Sequence, residues 1–162
     1  MPVVEIQKDT KALTMKVVAQ FAAPVARVWA AYADPRQLER FWGPPQWPAT
    51  FTRHDFKAGG RSEYYMTGPN GEKSSGYWEF LTIDEPRSFE VKDGFLGTDG
   101  KPDPKMPSMR MRFVFEPHDG GTRMTTVTTF PSVEALDQLL NMGLEEGLKA
   151  AMAQIDGVLA AA

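Results

Sequence analysis

The chain has 162 residues, 42% of them hydrophobic and 24% charged, with a formal net charge of -3 at pH 7. This composition is typical of a globular domain and excludes both a membrane-spanning apolar run and a basic surface for nucleic acid. With two histidines and no cysteine, the chain has no disulfides or thiolates and too few ligands for a typical zinc site. The N-terminus lacks the pattern of a secretory signal. We therefore expect one cytoplasmic domain over 1–162, without metal or cofactor.

The first predicted elements are a strand and two short helices. Residues 13–21 alternate apolar and polar side chains, which predicts a half-buried strand. Pro24 and Pro35 then suit the first turns of two short helices, because proline is tolerated at a helix start but not in its interior. From Ala49 to Phe130, turn signals separate six successive strands with no helix between them, which predicts an antiparallel meander.

One long connection, GFLGTDGKPDPKMPS at residues 94–108, contains three prolines and three glycines. A structureless connection of this length is often functional, and flexibility without function is the alternative. The sequence leaves both interpretations open.

The last segment predicts a long amphipathic helix. Residues 132–159 carry apolar side chains at three- and four-residue steps, and Ser132 is suited to cap the helix. Gly143 and Gly147 lie on the apolar face, where each glycine costs roughly 1 kcal/mol relative to alanine. Their missing side chains either leave room for a ligand or let the sheet approach closely.

A long helix must bury its apolar stripe, and a curved seven-stranded antiparallel sheet offers the only large surface for it. The predicted fold is therefore α+β, with the C-terminal helix gripped by the sheet and the two short helices closing one end. Because a straight helix cannot touch a strongly curved sheet everywhere, a cavity can open between them.

Strand alternation indicates which side chains face this cavity. From the strands they are Tyr64, Met66, Trp78, Phe80, Phe95, Met109, Met111, Phe113, Met124, Thr126 and Thr128. The two short helices contribute Trp42, and the C-terminal helix contributes Leu140, Gly143, Leu144 and Gly147. Such methionines and aromatic residues also fill ordinary cores, but the inward hydroxyls and the two glycines favour a small-molecule site.

Several motifs in order resemble those of a known family: PxxxVW, DP…L…FWGP, DxxxGGR, MxGPNGE, GxWEF and MGLEEGL. Over about residues 13–159 they resemble the branch of the SRPBCC, or START-like, superfamily that is similar to the activator of heat-shock protein 90 ATPase (AHSA type). The resemblance implies the helix-grip (START/Bet v-like) fold with a deep hydrophobic cavity. Relatives include polyketide cyclases and aromatases, lipid- and steroid-binding domains and the C-terminal domain of the chaperone activator, so no single activity is implied.

The resemblance also identifies individual positions. Trp42, Gly43 and Pro44 match the family's corner at the end of the cavity. The first hairpin of the family is matched by Asp55, Gly59, Gly60 and Arg61. Relatives often carry a bulky aromatic residue where this chain has Ser62, which predicts a locally larger or more polar cavity if Ser62 points inward.

Candidate catalytic groups are few. His54 and Asp55 are adjacent on a strand and face opposite sides, so His54 is interpreted as a surface residue and Asp55 as a partner of the glycine turn or of Arg61. His118 lies in a solvated turn. The carboxylates of Glu145 and Glu146 point toward solvent and are rejected as a catalytic pair. Other groups nominated for chemistry are Tyr64, Thr126 and Arg110, of which Arg110 is expected to face outward.

The sequence therefore favours a protein that binds a small hydrophobic or aromatic molecule, as a carrier, sensor or sequestering protein. One alternative is a cyclase- or hydrolase-type enzyme acting in the same cavity. Another is an interaction module that regulates a chaperone ATPase. The ligand's identity, lipids included, and homodimerisation remain open.

Overall fold

A computed structural model describes residues 2–160, which form one antiparallel sheet with helices against it. The strands are β1 Val3–Asp9, β2 Thr14–Phe21, β3 Ala49–His54, β4 Arg61–Thr67, β5 Lys73–Asp84, β6 Ser88–Phe95, β7 Met109–His118 and β8 Gly121–Thr129. The helices are α1 Val25–Ala33, α2 Pro35–Trp42, α3 Val133–Asn141, α4 Leu144–Met152 and α5 Ile155–Ala160. None of these helices is both long and apolar enough to cross a membrane.

The strand order in the sheet is β1-β2-β8-β7-β6-β5-β4-β3, and every neighbouring pair is antiparallel. Strands β3 to β8 are the predicted meander, and β2 pairs with the last strand of that meander. Helices α1 and α2 carry the chain from β2 to the far edge of the sheet, where β3 begins. The predicted α+β helix-grip fold is confirmed.

The predicted count of seven strands is wrong, because β1 adds an eighth. This strand pairs only with β2, and its register shifts between Val3 and Glu5. Val3 and Ile6 pack against the core, whereas Val4, Gln7 and Lys8 are exposed. An edge strand with so little buried surface has no regular alternation for sequence analysis to detect.

The C-terminal segment is helical but not continuous. Ser132 caps α3 as predicted, since its hydroxyl accepts a hydrogen bond from the Ala135 amide at 3.1 Å. Gly143 does not lie inside a helix, because its φ of 89° is left-handed and separates α3 from α4. A second break at Ala153 separates α4 from α5. Gly147 lies within α4, as predicted.

Aromatic side chains fill one end of the concave face. The Trp29 ring lies 5.3 Å from that of Phe115, and the Tyr32 ring lies 5.4 Å from that of Phe113. Phe89 stacks on Phe113 with the ring centroids 4.5 Å apart. Since α1 provides Trp29 and Tyr32, the first short helix covers this end of the sheet, and its aromatic rings pack against those of the strands.

The two glycines of the C-terminal segment offer a matched test of the helix break. We expect Gly143→Ala to destabilise the protein by about 1 kcal/mol, because an L-residue is strained at a left-handed φ. Gly147→Ala should instead stabilise it by up to about 1 kcal/mol through helix propensity, since the added methyl group meets no atom within 4 Å. Urea unfolding of both variants at neutral pH measures the difference. Equal stabilisation by both substitutions would contradict a break at Gly143.

Candidate functional site

A cavity of about 220 Å³ lies between the sheet and the helices α3 and α4. For comparison, an apolar cavity of about 150 Å³ engineered into another protein holds a benzene molecule. The cavity reaches the surface beside Met142, which is 55% exposed. Its lining comprises Trp42, Pro44, Tyr64, Met66, Asp93, Gly94, Phe95, Pro107, Met109, Met111, Leu139, Met142, Gly143, Leu144, Gly147 and Leu148.

The structure brings part of the predicted set together around this cavity. These residues are Trp42, Tyr64, Met66, Phe95, Met109, Met111, Gly143, Leu144 and Gly147. Pro107, from the long connection after β6, also lines it. That any of these residues contacts a ligand stays a prediction.

The remaining predicted residues do not line the cavity: Trp78, Phe80, Phe113, Met124, Thr126, Thr128 and Leu140. The six strand residues among them are buried in the core, as alternation predicted. They are separated from the cavity because helices already pack against that part of the sheet. The hydroxyls of Thr126 and Thr128 find no hydrogen-bond partner within the described part of the chain. In α3, Leu139 rather than Leu140 reaches the cavity.

Asp93 is the most important residue that sequence analysis missed. Its carboxylate is buried in β6 and accepts hydrogen bonds from the Tyr64 hydroxyl and the Trp78 indole N–H, both at 3.3 Å. The signal was present in the sequence, since Phe89, Val91, Asp93 and Phe95 alternate along one face of the strand. An acidic residue in such a row is a candidate for function.

Burial raises the pKa of Asp93 to about 7, because the charged form loses its hydration, and the hydrogen bonds from Trp78 and Tyr64 only partly offset this. Burial also raises the pKa of Tyr64 well above its usual range, and the Asp93 charge adds to the effect. Tyr64 therefore stays protonated and donates its hydrogen bond. Asp93 can change its protonation near neutral pH, which few carboxyl groups do.

Gly76 positions the tyrosine. It pairs with Tyr64 across β4 and β5, and a Cβ on Gly76 would lie 2.7 Å from the Tyr64 hydroxyl oxygen. The absence of a side chain lets the ring lie flat on the strand and reach Asp93. The Trp42 ring packs edge-on against Trp78 at 4.7 Å. Its indole N–H lies near the Tyr64 hydroxyl but makes no hydrogen bond within 3.5 Å among residues 2–160.

His54 is not a surface residue. A register shift between Phe51 and Arg53 turns it inward, where Ser62 lies 2.6 Å from Nδ1 and Nε2 donates to the Tyr32 carbonyl oxygen at 3.0 Å. Burial lowers the pKa of His54, which favours the neutral ring. In the neutral ring only one nitrogen carries a proton, and Nε2 uses it to donate to the carbonyl, so Nδ1 accepts from the Ser62 hydroxyl. Ser62 does point inward, but it binds His54 and does not line the cavity.

Other candidate groups lie outside the cavity. Asp55 pairs with Arg53 at 2.7 Å rather than with Arg61, and Arg110 faces outward, as predicted, toward Glu90. Glu145 binds Lys8 at the surface. Within residues 2–160, no three His, Asp or Glu side chains are grouped so that they could hold a metal ion.

Asp93→Asn should change the pH dependence of stability. The folded protein holds the Asp93 proton up to about pH 7, whereas an unfolded chain releases it near pH 4. This carboxyl group therefore contributes stability at low pH that is lost as pH rises from about 4 to about 7. Asparagine cannot ionise, so the free energy of unfolding of the variant relative to that of the wild type should rise by roughly 4 kcal/mol between pH 4 and pH 8.

Urea unfolding across this pH range measures the effect. Asp137→Asn, which removes an exposed carboxyl group from α3, is the matched control. A stability difference for Asp93→Asn that does not vary with pH would contradict the buried, proton-holding carboxyl group.

The similar proteins support one family. Residues 22–160 match the family described as Activator of Hsp90 ATPase homolog 1-like protein, AHSA1. No curated protein matches the chain. The crystal structure of protein Ms6760 from Mycobacterium smegmatis is 51% identical, with 98% of this chain and 97% of that chain covered and a TM-score of 0.90. The solution structure of a protein from Arthrobacter aurescens is 48% identical over 99% and 93% of the chains, with a TM-score of 0.94.

A more distant structure shares the fold. The AHSA1 protein from Silicibacter pomeroyi is 19% identical over 91% of this chain and 97% of its own, with a TM-score of 0.73. The family match, together with two structures about half identical over nearly the whole length, agrees with the resemblance of the motifs. The chain belongs to the AHSA1 family of the SRPBCC superfamily.

Proposed function

We propose that the protein binds a small hydrophobic or aromatic molecule in the cavity, as a carrier, sensor or sequestering protein. The observation that carries this proposal is the open space at the two glycines. A Cβ added to Gly143 or Gly147 would meet no atom within 4 Å, so neither glycine serves close packing against the sheet. The fold of the family is consistent with ligand binding in such a cavity.

The contrast between the two ends of the concave face supports the proposal. Protein interiors leave few voids larger than a water molecule, and at the end covered by α1 the aromatic rings pack closely against one another. The end under α4 instead keeps an apolar space lined by Met109, Met111, Leu144 and Leu148, with Asp93 and Tyr64 as the polar groups. A mostly apolar cavity with a few convergent polar groups is typical of small-molecule sites.

Filling the cavity from the helix tests this proposal. Indole, a neutral aromatic probe, should shift the amide NMR resonances of the cavity residues Gly94 and Gly147 and leave those of β1 unchanged. Gly147→Leu should weaken indole binding by about tenfold or more, a loss of about 1.4 kcal/mol, because the new side chain occupies the space.

Gly157→Leu is the matched control, since Gly157 lies on the exposed side of α5 and its Cβ would also meet nothing. It should leave binding unchanged. If indole shifts no cavity resonance, or if the two leucine variants bind it equally, the proposal is wrong.

Asp93 favours a second function, catalysis in the same cavity. A carboxyl group with a pKa near 7 beside a tyrosine hydroxyl can donate or accept a proton at neutral pH, as acid–base catalysis requires. A cyclase- or hydrolase-type reaction would need little more than these groups and a cavity that orients the substrate. The chaperone-regulating alternative rests on the description of the family.

A test of catalysis begins with any compound that native mass spectrometry finds in the purified protein. Incubation with excess compound should yield a product that chromatography separates from it, with a changed mass where water is added or lost and the same mass for a simple cyclisation. Asp93→Asn should lose turnover even at a compound concentration that saturates the variant. Binding without any change in the compound over many hours would reject the catalytic function and leave the binding function.

A further inference from the structure

Among residues 2–160, Asp93 is the single carboxylate that lines the cavity, and no lysine, arginine or histidine of this range lines it. No basic side chain within the described chain lies in ion-pair distance of it. Its two hydrogen-bond donors, Tyr64 and Trp78, are neutral. They orient the carboxylate but do not compensate its charge, and an uncompensated buried charge is costly.

The geometry leaves the carboxylate able to bind one more group. Each oxygen accepts one hydrogen bond from the protein, although a carboxylate oxygen can accept two. Asp93 lines the cavity, so a donor on a ligand can reach it from that side. An ammonium group would supply both the missing hydrogen bonds and the missing positive charge.

The aromatic lining also favours a cation. Trp42, Tyr64 and Phe95 all line the cavity, with the Trp42 and Tyr64 ring centroids 6.4 Å apart. The faces of aromatic rings carry partial negative charge and attract ammonium groups, most strongly where water is excluded. The carboxylate and the aromatic rings therefore both favour a ligand that carries a positive charge.

We propose that the cavity selects a small molecule with a basic amine beside an apolar body, and that its ammonium group pairs with Asp93. The apolar body then lies among Met109, Leu144 and Leu148. This inference rests on the proposed function, because it specifies the ligand of the same cavity. The unpaired N–H of Trp42 suits an oxygen acceptor, so a neutral ligand bound through such an oxygen is the competing outcome.

Few groups around Asp93 titrate, so a change of ligand affinity with pH can be assigned to Asp93. Strand β4 presents Tyr64, whereas Trp78 on β5, Met109 on β7 and Trp42 on α2 do not titrate. Helices α3 and α4 contribute uncharged residues alone to the lining. On the outer face, Tyr77 lies over Gly94, and its pKa is raised mainly by burial.

The experiment compares three probes of one size: phenethylamine, phenethyl alcohol and phenylacetate, each titrated calorimetrically into the full-length protein. At pH 8 we expect the amine to bind about tenfold or more tightly than the alcohol, and phenylacetate most weakly. In Asp93→Asn the amine should lose this advantage, while the affinity for the alcohol, which has no charge to lose a partner, should change by much less. Glu145→Gln, which removes a surface carboxyl group from α4, should keep it.

A second measurement needs no variant. The amine stays protonated between pH 6 and pH 8, whereas Asp93, with its pKa of about 7, ionises across this range. Amine affinity should therefore rise about tenfold from pH 6 to pH 8, and the affinity for the uncharged alcohol should change by much less.

Each outcome is decisive. Equal affinity for amine and alcohol, an amine preference that survives in Asp93→Asn, or an amine affinity independent of pH overturns the inference and leaves the cavity proposal standing. If indole binds and the amine does not, the inference is likewise wrong and the cavity proposal stands. If neither indole nor any of the three probes binds, both the inference and the proposed function fail.

Discussion

The structure depends on one packing constraint: an eight-stranded curved sheet has more concave surface than its helices can cover. At one end, α1 supplies large aromatic side chains, and Trp29 and Tyr32 interlock with those of the sheet. At the other end, α4 presents Gly147, and the left-handed Gly143 starts that helix in a new direction. The helices that complete the core therefore also leave part of the concave face uncovered, and this uncovered part is the cavity.

Asp93 gives this cavity its chemical character. It is held by Tyr64, which can reach it because Gly76 has no side chain, and by Trp78. A carboxyl group whose pKa is raised to about 7 by burial destabilises the fold whenever it is ionised. Natural proteins tend to accept such costs at functional sites, where a strained or perturbed group serves binding or catalysis. The hydrogen bonds from Tyr64 and Trp78 are thus consistent with the proposal that Asp93 is positioned for a ligand.

Much of this architecture follows from the sequence. Turn signals predicted the meander, and the apolar stripe of the C-terminal segment predicted a helix packed on the sheet. Alternation predicted the inward direction of residues such as Met109 and Met111, because period-two patterns report directly on the two faces of a strand. The predictions failed where the backbone departs from regularity. The register shift before Arg53 turned His54 inward, and the φ angle of Gly143 broke a helix whose apolar stripe looked continuous.

The extent of the cavity was harder to predict, since it depends on which helix covers which part of the sheet. Alternation placed Phe113 and Thr126 correctly on the inner face, but tertiary packing placed them in the core. Asp93 was visible in the pattern and was overlooked because acidic residues in strands usually face solvent.

A crystal structure of the protein soaked with indole tests the central claim most directly. The account predicts an ordered ring inside the cavity, in contact with α4 beneath Gly147 and with the Asp93 end of β6, while the positions of the helices stay unchanged. A cavity closed by movement of α4 onto the sheet, or indole bound only at the outer surface, would contradict the account.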